Sequence, residues 1–272
     1  MLTESFFVTV QGRKLEVQRI NGSSAQKPAI VFLHEGLGSI SAWREFPHAV
    51  VARTGHSAIV YSRYGYGNSE VFSGEREVQY MHDEALYVLP ELLGKLNVSS
   101  PVLIGHSDGA SIAIIYAGAS PSKQNPPKAL ILLAPHVFVE DLSIASIAAV
   151  KVAFEQTNFG EKLARYHRDP ASTFWGWNRI WLNSEFAKWN IEEYLPQITC
   201  PVLAMQGLED QYGTLMQIDA IERSVPARFE RAIIENCRHS LHRDQPERTL
   251  DVIGDFLDRH LSIPRPQPNQ PS

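Results

Sequence analysis

Pro101-Val-Leu-Ile-Gly-His-Ser-Asp-Gly-Ala-Ser111 is the stretch from which the rest of the chain can be read. It opens on a short apolar run, passes through Gly105-His106-Ser107-Asp108-Gly109, and continues into residues rich in Ala and Ile. The first part has the character of a strand buried on both faces. The last part, Asp108–Ser120, has that of a buried helix. A G-x-S-x-G pattern alone describes many surface turns. Between a buried strand and a helix it describes a sharp reversal, with Ser107 in a strained backbone conformation and its hydroxyl presented at the end of a sheet. Gly105 and Gly109 remove side chains that would clash in that reversal. The backbone N–H of Asp108, at the helix start, then faces any oxyanion that forms nearby.

Outward from this point, apolar runs alternate with helical stretches. The runs are AIVFL from Ala29, SAIVYS from Ser57, PVLIG from Pro101, ALILLA from Ala129, PVLAMQG from Pro201 and RFERAII from Arg228. Runs of this kind predict a mostly parallel sheet covered by helices on both faces. Leu86, Leu89, Leu93 and Leu96 lie at helical spacing within Tyr80–Leu96. At the N-terminus, Ser5–Val10 and Lys14–Ile20 flank Gln11-Gly12-Arg13 and predict an antiparallel hairpin. The alternation fails between Ala134 and Pro201. That interval holds the helical-looking Leu142–Thr157 and then Phe174, Trp175, Trp177, Trp181, Phe186 and Trp189. Residues 136–197 are therefore expected to form a helical cap over one end of the sheet. Residues 1–135 and 198–262 would form the α/β core. The Pro- and Gln-rich tail, 263–272, is expected to be disordered.

A serine hydroxyl needs a base to take its proton. On a strand-to-helix turn of this type, the partners follow in the order serine, acid, histidine. Asp210 follows the strand PVLAMQG directly, and His239 follows the last strand. His239 is the candidate base, and Asp210 the acid that holds its imidazole in one tautomer. Two neighbours stay open as alternatives: Glu209 as the acid and His242 as the base. The second oxyanion donor is expected from the loop after the first parallel strand, His34-Glu35-Gly36-Leu37-Gly38-Ser39. There the N–H of Gly36 is favoured over that of Leu37.

Composition narrows the function classes. The apolar fraction is 44% and the formal net charge −5, so no phosphate-tracking basic surface is indicated and no nucleic-acid partner is expected. Of the two cysteines, Cys200 and Cys237, neither has a zinc-ligand spacing, and both read as small buried hydrophobes. No run is long enough for a membrane span, and the N-terminus alternates like a strand rather than a signal peptide. These features predict a cytoplasmic protein; the triad reading accounts for the Asp and His residues of the motifs, so a small-molecule substrate, no metal and no organic cofactor are expected. A homodimer is compatible with them.

Together, the His-x-Gly loop at His34, Trp43, the Arg63–Ser69 loop RYGYGNS, the turn at Ser107, Asp210 and His239 resemble the α/β-hydrolase superfamily over nearly the whole chain. The resemblance implies a Ser107–His239–Asp210 triad and an ester-type substrate (carboxylic ester, lactone or thioester) cleaved through an acyl-enzyme. It also implies a cap whose aromatic residues line an apolar pocket, with Leu37, Tyr64, His136, Phe138 and Trp181 as candidate substrate contacts. Arg63 would either meet a substrate carboxylate or pair with a nearby acid. The serine at the elbow argues against the members that use an aspartate there. Three positions depart from the family pattern: Glu35 where glycine is usual, Arg238 where glycine precedes the histidine, and Ser62-Arg63 where an aspartate opens the loop. Similar proteins also include small-molecule receptors with an intact triad, C–C bond hydrolases, and cofactor-independent lyases or oxygenases, which remain alternatives.

Overall fold

The computed structural model describes residues 2–119 and 123–261. Ser120 and the tail 263–272 lie outside the described residues. Eight strands form one sheet in the order β1-β2-β4-β3-β5-β6-β7-β8. β1 (Thr3–Val10) and β2 (Arg13–Ile20) make the antiparallel hairpin, and β2 also pairs antiparallel with β4 (Ala58–Tyr61). From β4 onward every pairing is parallel, through β3 (Ile30–Leu33), β5 (Val102–His106), β6 (Ala129–Leu133), β7 (Val202–Gly207) and β8 (Phe229–Ile234).

The apolar runs bury both faces because successive side chains point to opposite sides of a strand. Val31, Leu33, Leu103, Leu130 and Leu132 join one core cluster, while Ile30, Phe32, Val102, Ile104, Ile131 and Leu133 join the other. The second cluster is closed by α1 (Phe46–Thr54) and by a C-terminal helix, Pro246–Leu261. The first is closed by the region predicted as one helix over Tyr80–Leu96. That region is an α2 (Tyr80–Asp83), a π turn over Glu84–Val88 and an α3 (Leu89–Lys95). Pro90 has no N–H to bond back into the preceding turn, and the wider turn lies just before it.

One strand departs from expectation. RFERAII is expected among the doubly buried runs, but β8 is the edge of the sheet and only Ile234 is fully buried. Its Arg231 faces outward and pairs with Asp219 and Glu222. Charge on an edge strand discourages further pairing.

α4 (Asp108–Gly118) leaves the Ser107 turn with almost every residue buried. The cap lies between β6 and β7: α5 (Asp141–Gln156), α6 (Phe159–Leu163), α7 (Pro170–Trp181) and two 3₁₀ segments, Phe186–Lys188 and Glu192–Gln197. α7 begins at Pro170, and the side chain of Asp169 accepts the N–H of Ser172 at 2.9 Å, a cap contributing about 1 kcal/mol. Its buried stripe, Phe174, Trp177, Ile180 and Trp181, turns one face inward. Much of the cap's aromatic content is its own core: Phe154 stacks on Phe174 at 3.8 Å, and Phe186 stacks on Trp189 at 5.5 Å.

Candidate active site

Ser107 has φ 53° and ψ −117°, a left-handed conformation for a residue with a side chain. The turn is held by the N–H of Ser107 donating to the carbonyl of Leu133 at 2.9 Å and by Ala110 and Ser111 donating back to the Ser107 carbonyl. The flanking glycines are required by contact. A β-carbon on Gly105 would lie 2.3 Å from the Gly109 carbonyl oxygen, and one on Gly109 would lie 2.0 Å from that of Leu33. So β3, β5 and the start of α4 meet backbone to backbone beneath the serine.

His239 sits on the loop after β8. Its Nδ1 lies 2.9 Å from each carboxylate oxygen of Asp210, on the loop after β7. A carboxylate only accepts, so Nδ1 carries the proton and Nε2 is left with its lone pair. Asp210 is fixed in turn: Oδ1 accepts the N–H of Tyr212 at 2.8 Å. Burial pushes the Asp210 carboxyl upward, but the attraction and hydrogen bond of His239 and the Tyr212 N–H outweigh it and hold it below the usual value. Glu209 is exposed. His242 is buried against Trp43 and Phe46, at 4.7 and 5.6 Å between ring centroids, with neither ring nitrogen hydrogen-bonded. Of the two pairs of neighbours left open, the structure brings Asp210 and His239 together. Ser107 and His239 line the same cavity without a hydrogen bond between them, a separation common before substrate binds.

The cavity, about 220 Å³, is also lined by Glu35, Gly36, Leu37, Asp108, His136, Ile147, Trp177, Trp181, Tyr212 and Arg243. The backbone N–H groups of Gly36, Leu37 and Asp108 donate to no acceptor among the described residues, although all three border the cavity. His136 is 2% exposed and packs edge-on against Trp181. Burial, then the neighbouring His239, pushes its imidazole down to about 3, so it is neutral.

Two expected substrate contacts lie elsewhere. Tyr64 faces away from the cavity, with its hydroxyl 3.3 Å from Ser73 Oγ and its ring under the Arg13 guanidinium. Phe138 forms an isolated bridge with Asn190 and packs into the core. Both follow strand ends closely, but proximity in sequence does not decide which way a side chain turns at a strand end. Arg63 meets no open space; it is buried beside Asp108 at 3.5 Å. Of the cap tryptophans, Trp177 and Trp181 line the cavity and Trp175 does not.

Among the family departures, Glu35 is the one that reaches the cavity. Its carboxylate lies 3.4 Å from His106 Nδ1 and 3.7 Å from Arg243. Burial pushes this carboxyl upward, but His106 and Arg243 hold it well below its usual value. Arg238 points to Asp244 and leaves the cavity untouched. Tyr212, Ile147 and Arg243 were missed from sequence. Only Tyr212 had a local signal, as the residue whose N–H an Asp two positions earlier can accept. Both cysteines are buried and free, and burial pushes the thiols up to about 12 for Cys200 and about 11 for Cys237. Among the described residues, no group of three His, Cys, Asp or Glu is placed to hold a metal, and no helix is long and apolar enough to cross a membrane.

Comparison with known proteins agrees with this architecture. A proline iminopeptidase of Lactobacillus helveticus is 22% identical over 282 residues, covering 89% of this chain and 94% of its own. One from Lactobacillus delbrueckii subsp. lactis is 29% identical over 98 residues, covering 36% of this chain, so the match spans only 33% of that relative's length. Among solved structures, an esterase from Exiguobacterium antarcticum superposes with a TM-score of 0.72 at 18% identity, covering 94% of this chain and all of its own, 100%. The model of the alpha/beta hydrolase family matches residues 30–252. With most of the chain inside that match, the protein belongs to the alpha/beta hydrolase family.

Proposed function

We propose that this chain is a serine hydrolase that cleaves an ester-type bond of a small, apolar or aromatic substrate through an acyl-enzyme. The observation that carries the reading is convergence on one cavity. A strained serine, an imidazole whose Nδ1 proton is held by a carboxylate, and free backbone N–H groups of Gly36 and Asp108 all border it. In this reading, Ser107 Oγ attacks the acyl carbon while His239 Nε2 takes its proton, and the tetrahedral oxyanion is met by the N–H groups of Gly36 and Asp108. His239 then returns the proton to the leaving alcohol, and water repeats the sequence to release the acid. Leu37, His136 and Trp181 form the walls against which the substrate is held, with Trp177 and Ile147 completing the apolar side. Neutral His136 offers a hydrogen bond without adding a second positive charge beside His239.

The test is labelling by a serine-directed fluorophosphonate, with a panel of p-nitrophenyl esters of increasing acyl length. Wild type should label stoichiometrically at Ser107 and turn over repeatedly. Ser107→Ala should fold and lose labelling, with kcat down by up to ~10⁶-fold. Activity of Ser107→Ala within tenfold of wild type overturns the reading. Amide cleavage is the second reading, favoured by the alignment with a proline iminopeptidase over most of the chain. An aminoacyl p-nitroanilide included in the panel separates the two.

A further inference from the structure

The two segments that carry the oxyanion donors are tied together by one buried ion pair. Arg63, at the end of β4, is 2% exposed. Its Nη2 donates to the carbonyl of Glu35 at 2.9 Å and to that of His34 at 3.3 Å, and lies 3.5 Å from Asp108 Oδ2. Its backbone N–H donates to His34 Nε2 at 3.0 Å, while His34 Nδ1 donates to the Glu35 carbonyl at 2.7 Å. The guanidinium thus grips the peptide that leads directly into Gly36. The Asp108 carboxylate, 1% exposed, accepts the Tyr80 hydroxyl at 2.7 Å, and that hydroxyl accepts Trp181 Nε1–H at 3.1 Å.

We propose that the Arg63 guanidinium and the Asp108 carboxylate are positioning residues that set the separation of the two oxyanion donors, the N–H groups of Gly36 and Asp108. The inference rests on the serine-hydrolase reading above. Stability gives little reason for such a pair. Removing two ions from water costs several kcal/mol per ion, and apolar replacements of equal volume are often neutral or better. Geometry gives a reason. Beneath the site, β3 and α4 already touch at Leu33 and Gly109. Further out, no backbone hydrogen bond among the described residues joins Glu35 or Gly36 to Asp108, and Arg63 spans that gap. An oxyanion hole works only with both donors about 2.7–3.1 Å from the forming oxyanion, and displacement by about 1 Å costs ~10²-fold in rate. The Asp108 side chain fixes one end of the clamp on the same residue that supplies a donor. Through Tyr80 and Trp181 the clamp also reaches the cap wall, so cap placement and donor spacing share one hydrogen-bonded line.

The experiment uses the full chain with p-nitrophenyl esters, a fluorophosphonate, an aryl trifluoromethyl ketone that forms a tetrahedral oxyanion at the serine, and thermal melting. Asp108→Asn keeps shape and a Tyr80 acceptor but discharges the carboxylate. It should lower kcat ~10–100-fold with KM within about threefold. The ketone's Ki should rise in step with the loss in kcat/KM. If Asp108→Asn fails to fold because Arg63 is left as an unpaired buried charge, the double variant Arg63→Met with Asp108→Leu removes both charges. It should fold and still show the kcat and Ki losses. A folded variant of either kind with kcat and Ki within threefold of wild type overturns the proposal, as does a loss confined to KM. Absence of labelling and turnover in wild type would instead overturn the serine-hydrolase reading, and this inference with it.

Discussion

The indole of the cap residue Trp177 lies directly against the backbone of Gly36: a β-carbon on Gly36 would sit 2.1 Å from Trp177 Nε1. The loop proposed to carry one oxyanion donor is therefore packed under the cap with no room for a methyl group. Gly36→Ala should force the loop or the indole aside and lower kcat on a p-nitrophenyl ester ~10²-fold. Trimming the indole in the same chain, Gly36→Ala with Trp177→Leu, should recover part of that loss. Equal kcat in Gly36→Ala and wild type would show that the loop tolerates the displacement.

The acid is tested by a pair of variants. Asp210→Asn presents an amide to Nδ1 and favours the wrong imidazole tautomer, a change that costs ~10⁴-fold in kcat in serine-protease triads. Glu209 is exposed, so Glu209→Gln should leave kcat within about twofold. Steady-state kinetics on both would show the acid to be misassigned if Glu209→Gln were the impaired variant.

The cap tryptophans should divide by position. Trp177 lines the cavity, so Trp177→Ala should enlarge it and shift preference toward longer or bulkier acyl groups, with KM changing more than the rate of labelling by a small phosphonate. Trp175 lies outside it, and Trp175→Ala should leave the profile unchanged. Loss of a buried tryptophan costs about 3–5 kcal/mol, so the comparison is made below each variant's melting temperature. Identical acyl profiles in the two variants would remove Trp177 from the substrate wall.

Stability should fall as the solution is acidified from neutrality. Burial pushes the imidazoles of His34 and His242 well below 6.5 and that of His136 to about 3, so all three stay neutral in the fold. Below about pH 6.5 the unfolded chain protonates them and the folded chain does not. The unfolded state then binds more protons at these positions, so stability falls as the pH falls. Their contribution is fully present above the unfolded pKa and lost on descent through pH 6 and 5. Urea midpoints between pH 7.5 and 5.5 should drop, with a shallower slope in His136→Gln. A flat midpoint would mean that these imidazoles are protonated in the fold.

The mostly parallel sheet, the hairpin, the helical insertion and the triad candidates were legible because each depends on a local pattern. Unbroken apolar runs bury both faces of β3, β5 and β6. Two glycines around Ser107 mark a backbone approach that no side chain permits. Asp210 and His239 sit at the ends of strands that any parallel sheet brings to the same edge. β8 departs from the reading because an edge position is a property of the sheet; the only local sign of it is the charge of Glu230 and Arg231 within an otherwise apolar run.

Tertiary structure alone decided where side chains near the strand ends point. It turned Tyr64 and Phe138 away from the cavity and brought Glu35, Tyr212 and Arg243 to it. It also placed Arg63 between the Glu35 carbonyl and the Asp108 carboxylate. These outcomes depend on contacts between residues tens of positions apart, and no spacing in the chain encodes them. The physical reason is the difference in range. Backbone propensity and hydrophobic period act over a few residues and are written in the sequence directly. The direction of a side chain at a strand end is set by whatever volume and charge the rest of the fold leaves beside it.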